Sequence, residues 1–65
     1  MIHGTEYYTN KLRETVMLQQ PVRHCYDMLR EEIVSTIDEP DMKVEEISFL
    51  DQAFERVKSE LIDIH

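Results

Sequence analysis

A histidine and a cysteine stand side by side as His24 and Cys25, and they are the first candidates for chemistry in this chain. A thiolate activated by an imidazole would be a nucleophile. Consecutive helical residues point about 100° apart, however, and side chains that act together on a helix are three or four positions apart. Because Cys25 falls on an apolar helical stripe, we interpret it as a small hydrophobic core residue.

Metal binding and hydrolysis are the next chemistries to consider. The histidines are scattered along the chain: His3, His24 and His65. They match no ligand spacing, so we expect neither a metal ion nor a cofactor. Adjacent acids at 31–32 and 45–46 diverge on a helix, whereas hydrolytic carboxylates converge on one bond. The acidic stretch 38–46 is not an EF-hand loop, because Lys43 stands where that loop needs glycine. We therefore predict that the protein is not an enzyme.

Charge is unevenly distributed along the chain, whose formal net charge is −7. Residues 1–26 contain two acidic and three basic residues, whereas residues 27–65 contain twelve acidic and four basic ones. The densest stretch, residues 31–51, has eight acidic residues and one basic residue. This surface repels phosphate backbones, so we expect no direct binding to nucleic acid. It either attracts a basic protein surface or keeps the protein soluble, and both interpretations stay open.

Two candidate contact surfaces follow from these residues. The acidic one comprises Glu31, Glu32, Glu39, Asp41, Glu45 and Glu46. The aromatic one is Tyr7, because neighbouring tyrosines on a helix cannot share one face and Tyr8 belongs to the apolar stripe. An exposed tyrosine is a good contact residue. The alternative is that the ring of Tyr7 packs locally at the rim of the core.

Three helices must position these side chains. The chain has one glycine and no Asn-Gly or Asp-Gly pair, so hairpin signals are absent. Pro21 and Pro40 divide it into three segments, each with helical periodicity. We predict an all-α fold, a single small three-helix domain over residues 1–65, with two shorter helices and a long C-terminal one. The predicted helices cover about 6–18, 21–37 and 41–63. Thr5 is the expected N-cap of the first, and Pro21 the expected first residue of the second.

The apolar stripes of these helices predict the core. The first helix contributes Tyr8, Leu12 and Val16. The second contributes Val22, Cys25, Tyr26, Leu29, Ile33 and Ile37. The third has the most regular stripe, with alternating spacings of three and four: Ile47, Leu50, Phe54, Val57, Leu61 and Ile64. This period places its six side chains on one face, which we predict to be a helix-packing or dimer interface.

Small size favours self-association. A 65-residue monomer buries only about 60% of its unfolded surface. The single cysteine, Cys25, excludes an internal disulfide. We therefore expect a homodimer that forms through helix packing. Because Glu46 and Asp51 would face each other across a parallel seam, we favour antiparallel packing. The alternative is a monomeric bundle in which the third helix is simply the core helix.

The chain shows neither a membrane-length apolar run nor a signal peptide, which together with one free cysteine predicts the cytoplasm. We expect a small acidic helical protein that acts by protein–protein interaction, as a regulator or inhibitor such as those of phages or mobile elements. One alternative is an antitoxin-like protein that neutralises a basic toxin. Another is a structural or assembly subunit whose apolar seam is completed by another chain.

Overall fold

Three α-helices make up most of the computed structural model, which describes residues 2–63. They are α1 (Thr5–Met17), α2 (Val22–Thr36) and α3 (Pro40–Asp63). No β-strand occurs among the described residues. The predicted all-helical fold with three helices is confirmed, whereas the predicted homodimer stays a prediction.

The beginning of α1 differs from the prediction in one detail. Gly4, not Thr5, is the N-cap, and it adopts φ 90° and ψ 173°. This region of backbone space is open almost only to glycine, because any Cβ would clash there. Thr5 becomes the first helical residue, and its hydroxyl lies 3.5 Å from the side-chain oxygen of Gln52 in α3.

The end of α1 is a Schellman motif. Gln19 has φ 58°, and its N–H donates to the carbonyl of Val16 at 3.0 Å. The N–H of Gln20 donates to the carbonyl of Thr15, also at 3.0 Å. These two bonds satisfy carbonyls that the end of a helix would otherwise leave unpaired. The left-handed position normally carries glycine, so Gln19 holds a backbone conformation that costs free energy.

Both prolines lie at helix starts. Pro21 precedes α2 as its N-cap rather than as its first helical residue, with ψ 116°, and its carbonyl accepts the N–H of Cys25 at 3.3 Å. Pro40 is the first residue of α3, a position where its missing N–H costs nothing. Ile37 is already extended, so α2 ends at Thr36.

The helices form an up-down-up bundle. His3 lies beside Glu46, and Arg13 lies beside Glu60, so α1 and α3 run in the same direction. Tyr7 near the start of α1 shares a depression with Thr36 at the end of α2, and Thr15 near the end of α1 shares one with His24 near the start of α2, so α2 runs in the opposite direction. The resulting rod measures 40 × 17 × 13 Å. Within it, α1 packs most closely against α3 and least closely against α2.

The core runs along the axis of the rod and receives side chains from every helix. Its fully buried apolar residues are Tyr8, Leu12, Ile33, Ile37, Leu50, Ala53 and Val57. Thr9 and Thr15 are also buried, and their hydroxyls donate to the carbonyls of Thr5 and Lys11 one turn earlier. These internal hydrogen bonds let two threonines face the core without unpaired polar atoms.

The inward face of α3 is wider than the predicted stripe. Leu50 and Val57 are fully buried, whereas Ile47, Phe54 and Leu61 are half-buried and pack around the core. The predicted interface residue Ile64 lies outside the described residues. Ala53 and Glu46, outside that stripe, are fully buried as well. Because α3 packs against two helices of its own chain, its buried surface spans both sides of the stripe.

Candidate protein-binding groove

The most open part of the bundle is the seam between α1 and α2. Ile33 is the one fully buried residue of α2, and Leu29 and Cys25 are half-buried. Two depressions lie along this seam, a third adjoins them on the outer side of α2, and a fourth lies farther round that helix between Arg30 and Glu31. We call this surface the α1–α2 groove and define it by Tyr7, Thr15, His24, Met28, Leu29 and Glu32.

Glu32 lies at the centre of the groove, because it lines both depressions of the seam and the adjoining one on the outer side of α2. Leu29 lines the first and second, and Met28 lines the second and third. The first depression has a volume of about 40 Å³, enough for one or two water molecules. The second, of about 480 Å³, lies between the end of α1 and the start of α2, where Thr15 and Cys25 line it. The third, of about 510 Å³, lies on the outer side of α2 and is lined by residues of that helix alone. The groove is therefore a surface feature that extends along the helix.

Apolar and acidic groups alternate in the groove. The side chain of Met28 is 61% exposed, although methionine belongs to the apolar residues that normally pack inside. Glu31 and Glu32 are exposed beside it and form no ion pair among residues 2–62. Asp27, by contrast, is paired with Arg23 at 3.5 Å. The groove thus offers an apolar side chain beside Glu32, which forms no ion pair among residues 2–62, whereas Glu31 also lines a depression with Arg30 on the outer side of α2.

The other predicted acidic residues lie elsewhere. Glu39 belongs to the connection between α2 and α3, and Asp41 and Glu45 are exposed on the first two turns of α3. Asp41 and Glu45 are four residues apart and share one helix face. The six predicted acids therefore do not form one surface. Glu32 lies in the groove, Glu31 diverges from it towards the outer side of α2, and the other three exposed acids lie around the start of α3.

Glu46 corrects the prediction of an acidic partner surface, because it is only 1% exposed. Its carboxylate accepts the N–H groups of Ile2 at 3.2 Å and His3 at 2.8 Å, and the hydroxyl of Tyr8 at 2.7 Å. Three hydrogen-bond donors compensate for the loss of water around this buried carboxylate. Glu46 thereby attaches the residues before α1 to the second turn of α3.

The electrostatics of this buried cluster follow from its geometry. Burial by itself would raise the pKa of Glu46, but the hydrogen bonds from Tyr8, His3 and Ile2 stabilise the ionised form and bring the pKa below its usual value. Burial also raises the pKa of the Tyr8 hydroxyl, and the adjacent carboxylate raises it further. Glu46 is therefore ionised and Tyr8 neutral near pH 7. The cluster is an anchor rather than an acid–base pair poised for catalysis.

Tyr7, the candidate aromatic contact, is half-buried. Its ring stacks on that of His3 with centroids 3.8 Å apart, and the ring of Tyr8 meets it edge-on at 5.2 Å. The ammonium of Lys11 lies 5.7 Å from the ring centroid of Tyr7. This packing corresponds to the second interpretation of Tyr7, in which its ring contacts neighbours at the rim of the core.

His24 and Cys25 both line the second depression. Cys25 is half-buried and packs against the core, and His24 is exposed. Among the residues that the structure describes, no group of three or more histidine, cysteine or acidic side chains is placed to hold a metal ion. Among the same residues, every helix is too short or too polar to span a membrane.

Two features of the site were missed from the sequence. Met28 departs from the apolar stripe of α2, and this departure was the available signal for an exposed apolar residue. The burial of Glu46 had no such signal, because its partners are 38 to 44 residues away along the chain. Comparison with known proteins adds no assignment: no protein-family model, curated protein or solved structure gives a significant match to this chain.

Proposed function

We propose that this protein is a non-enzymatic protein-binding module that engages a basic surface of its partner through the α1–α2 groove. The role that fits its size and acidity is that of a small cytoplasmic regulator or inhibitor, such as those of phages or mobile elements. The proposal rests chiefly on one observation. Glu32, which has no cationic partner among the described residues, lines three adjoining depressions next to the exposed side chain of Met28.

Physical chemistry supports this use of the groove. An exposed methionine costs the isolated protein solvation free energy, and its flexible thioether adapts to the shape of a partner. Carboxylates at the edge of an apolar patch steer a basic partner and fix its orientation. The position of Glu32 beside the exposed side chain of Met28, on the side of α2 that borders α1, supports binding in addition to solubility.

The test compares two variants that change the net charge equally. Glu31→Lys/Glu32→Lys alters the groove, and Glu39→Lys/Glu45→Lys alters exposed acids around the α2–α3 connection. The immobilised proteins capture partners from an extract of the producing cells, and quantitative mass spectrometry measures each captured protein. We expect the groove variant to lose at least about tenfold of the specific partner, whereas the control variant retains it. Equal loss in both variants would show attraction by net charge alone and would contradict the proposal.

We retain the homodimer as a second proposal about assembly. What supports it is the small size of the core together with exposed apolar side chains where α1 and α3 end. These are Met17, Leu18 and Ile62. Sedimentation equilibrium at low micromolar concentration tests it directly: the expected mass is twice the chain mass of 7.8 kDa. A folded monomer in that experiment would exclude the homodimer without affecting the proposed groove.

A further inference from the structure

We infer that residues 2–4 form a latch, which opens by rotation at Gly4 while the three helices stay folded and thereby exposes the first depression. The latch controls access to one end of the α1–α2 groove. The inference concerns a movement of this chain alone, so it does not rest on the proposed function. The alternative is a segment that is an integral part of the bundle and detaches only when the helices unfold.

The latch is held by few contacts, and most of them are polar. Its side chains lie outside the core, since Ile2 is 50% exposed and His3 is exposed as well. The N–H groups of both residues donate to the carboxylate of Glu46, and the imidazole of His3 stacks on the ring of Tyr7. Segments that bury little apolar surface open at a small fraction of the free energy of global unfolding. None of these contacts is a backbone hydrogen bond within a helix, so the helices keep theirs when the latch opens.

Gly4 places the pivot at the junction between the latch and α1. Its carbonyl accepts the N–H of Tyr8 at 3.5 Å, so this half of the residue already belongs to the helix. Its φ angle of 90° is therefore the first torsion that can turn without breaking a helical hydrogen bond. Because glycine has no Cβ, positive and negative φ values are both open to it. Residues at the end of an element commonly serve as hinges that absorb such a dihedral change.

The first depression lies between the latch and the end of α2. Both side chains of the latch line it, together with Tyr8, Ile33 and Ile37, and these three are at most 6% exposed. With the latch closed, its volume of about 40 Å³ leaves room for one or two water molecules. Rotation of the latch removes one wall of this space. The apolar side chains and the carboxylate of Glu46 then become accessible together.

Glu46 keeps the latch closed without preventing its opening. Its Oε1 accepts the N–H of Ile2 and its Oε2 that of His3, so both oxygens hold the latch. The hydroxyl of Tyr8 also donates to Oε2, and it stays in place in the open state because it belongs to α1. Water that enters through the opening replaces the two lost donors. The carboxylate is therefore not left buried without hydrogen-bond partners.

Native-state hydrogen exchange in low urea tests the inference. NMR measures the protection of the His3 amide, and that of the Leu50 amide reports global unfolding because this residue is fully buried in α3. Opening of the latch exposes little surface. Protection of His3 should therefore be at least about tenfold lower than that of Leu50 and nearly independent of urea, whereas that of Leu50 should fall as urea is added. Equal protection with equal urea dependence would overturn the inference, and so would a His3 amide without protection.

Substitution at the pivot gives a second, quantitative check. Alanine is strained at φ 90° and ψ 173°, so Gly4→Ala should open the latch and lower the protection of His3 at least about tenfold or abolish it. An open latch has no further contacts to lose. Protection of Leu50 should therefore fall by no more than the wild-type protection factor of His3. A larger loss at Leu50 would show that residues 2–4 are integral to the bundle.

Thiol reactivity measures exposure of the depression itself. The variant Cys25→Ser/Ile37→Cys has its single thiol in the first depression, and Cys25→Ser/Val57→Cys has it in the core, farther along α3 than Glu46. A disulfide reagent should modify the first thiol at least about tenfold faster than the second, at a rate that low urea leaves unchanged. Adding Gly4→Ala should speed the first reaction further. Equal rates at the two positions would mean that the depression opens only when the bundle unfolds, which would overturn the inference.

Discussion

The two sides of α1 differ in how they are held. On the side facing α3, the interface is closed at one end by the buried carboxylate of Glu46 and at the other by the ion pair between Arg13 and Glu60. On the side facing α2, contacts are fewer, and open depressions surround Glu32. The same short helix therefore serves a stabilising interface and borders a surface available to a partner. The difference predicts that substitutions at the two sides separate stability from binding.

The largest expected effect on stability is in the core that α3 provides. Leu50→Ala removes a fully buried side chain and should lower the free energy of unfolding by about 2–5 kcal/mol. Met28→Ala truncates an exposed side chain in the groove and should change it by no more than about 0.5 kcal/mol. Urea unfolding followed by circular dichroism measures both values. Similar losses of unfolding free energy in both variants would mean that Met28 is packed as tightly as Leu50, which would contradict an open surface on the α2 side.

A smaller loss of stability is expected from Glu46→Gln. This substitution keeps the size of the side chain but turns an amide towards the N–H donors. We expect a decrease of about 1–3 kcal/mol in the free energy of unfolding at pH 7. Glu45→Gln is the matched control, because this neighbour is exposed, and it should be neutral within about 0.5 kcal/mol. Thermal unfolding resolves the two, since about 1 kcal/mol shifts Tm by roughly 4–8 °C in a domain of this size. Equal melting temperatures for both variants would contradict the anchoring role of Glu46.

The stability difference between wild type and Glu46→Gln should also depend on pH, with a defined sign. The pKa of Glu46 is lower in the folded protein than its ordinary value of about 4.3. Its contribution to stability is therefore complete above that ordinary pKa, and it disappears as the pH falls through the folded pKa. We expect the difference in unfolding free energy between wild type and Glu46→Gln to shrink below about pH 4.3. A difference that grows on acidification would mean that the carboxyl is bound as the neutral acid.

The smallest expected effect is an increase in stability, from a substitution in the turn that follows α1 beside the groove. Gln19 holds φ 58°, and glycine reaches this conformation without the steric cost of a Cβ. Gln19→Gly should therefore raise the free energy of unfolding by about 0.5–1 kcal/mol, while capture of a partner from extract remains unchanged. Thermal unfolding and quantitative mass spectrometry of the captured partner measure the two quantities. A loss of stability would show that the Schellman geometry is not the ground state of this turn.

Local patterns were sufficient to predict the helices. The positions of Pro21 and Pro40 and the spacing of apolar residues placed the helix bounds within a few residues of those observed. These signals act within a turn or two of the chain, so a single sequence contains them in full. The exact first and last residues of each helix depend on backbone geometry, such as that of Gly4 before α1, and were therefore less well predicted.

The role of individual acids could not be predicted in the same way. Glu45 and Glu46 are neighbours of one residue type, yet the first is exposed and the second is buried. What separates them is the backbone of Ile2 and His3, which reaches Glu46 only after the bundle has formed. The predicted stripe of α3 was likewise incomplete at Ala53, because a helix that contacts two others buries positions beyond one narrow face.

Attachment of the first residues to Glu46 has a consequence for the order of events during synthesis. The chain segments joined by these hydrogen bonds are 43 and 44 positions apart. At roughly 5–20 residues per second, the ribosome adds Glu46 several seconds after Ile2 and His3. Until then α1 lacks the helix against which it packs most closely. The nascent chain therefore acquires its native N-terminal arrangement late, only once much of α3 has been made.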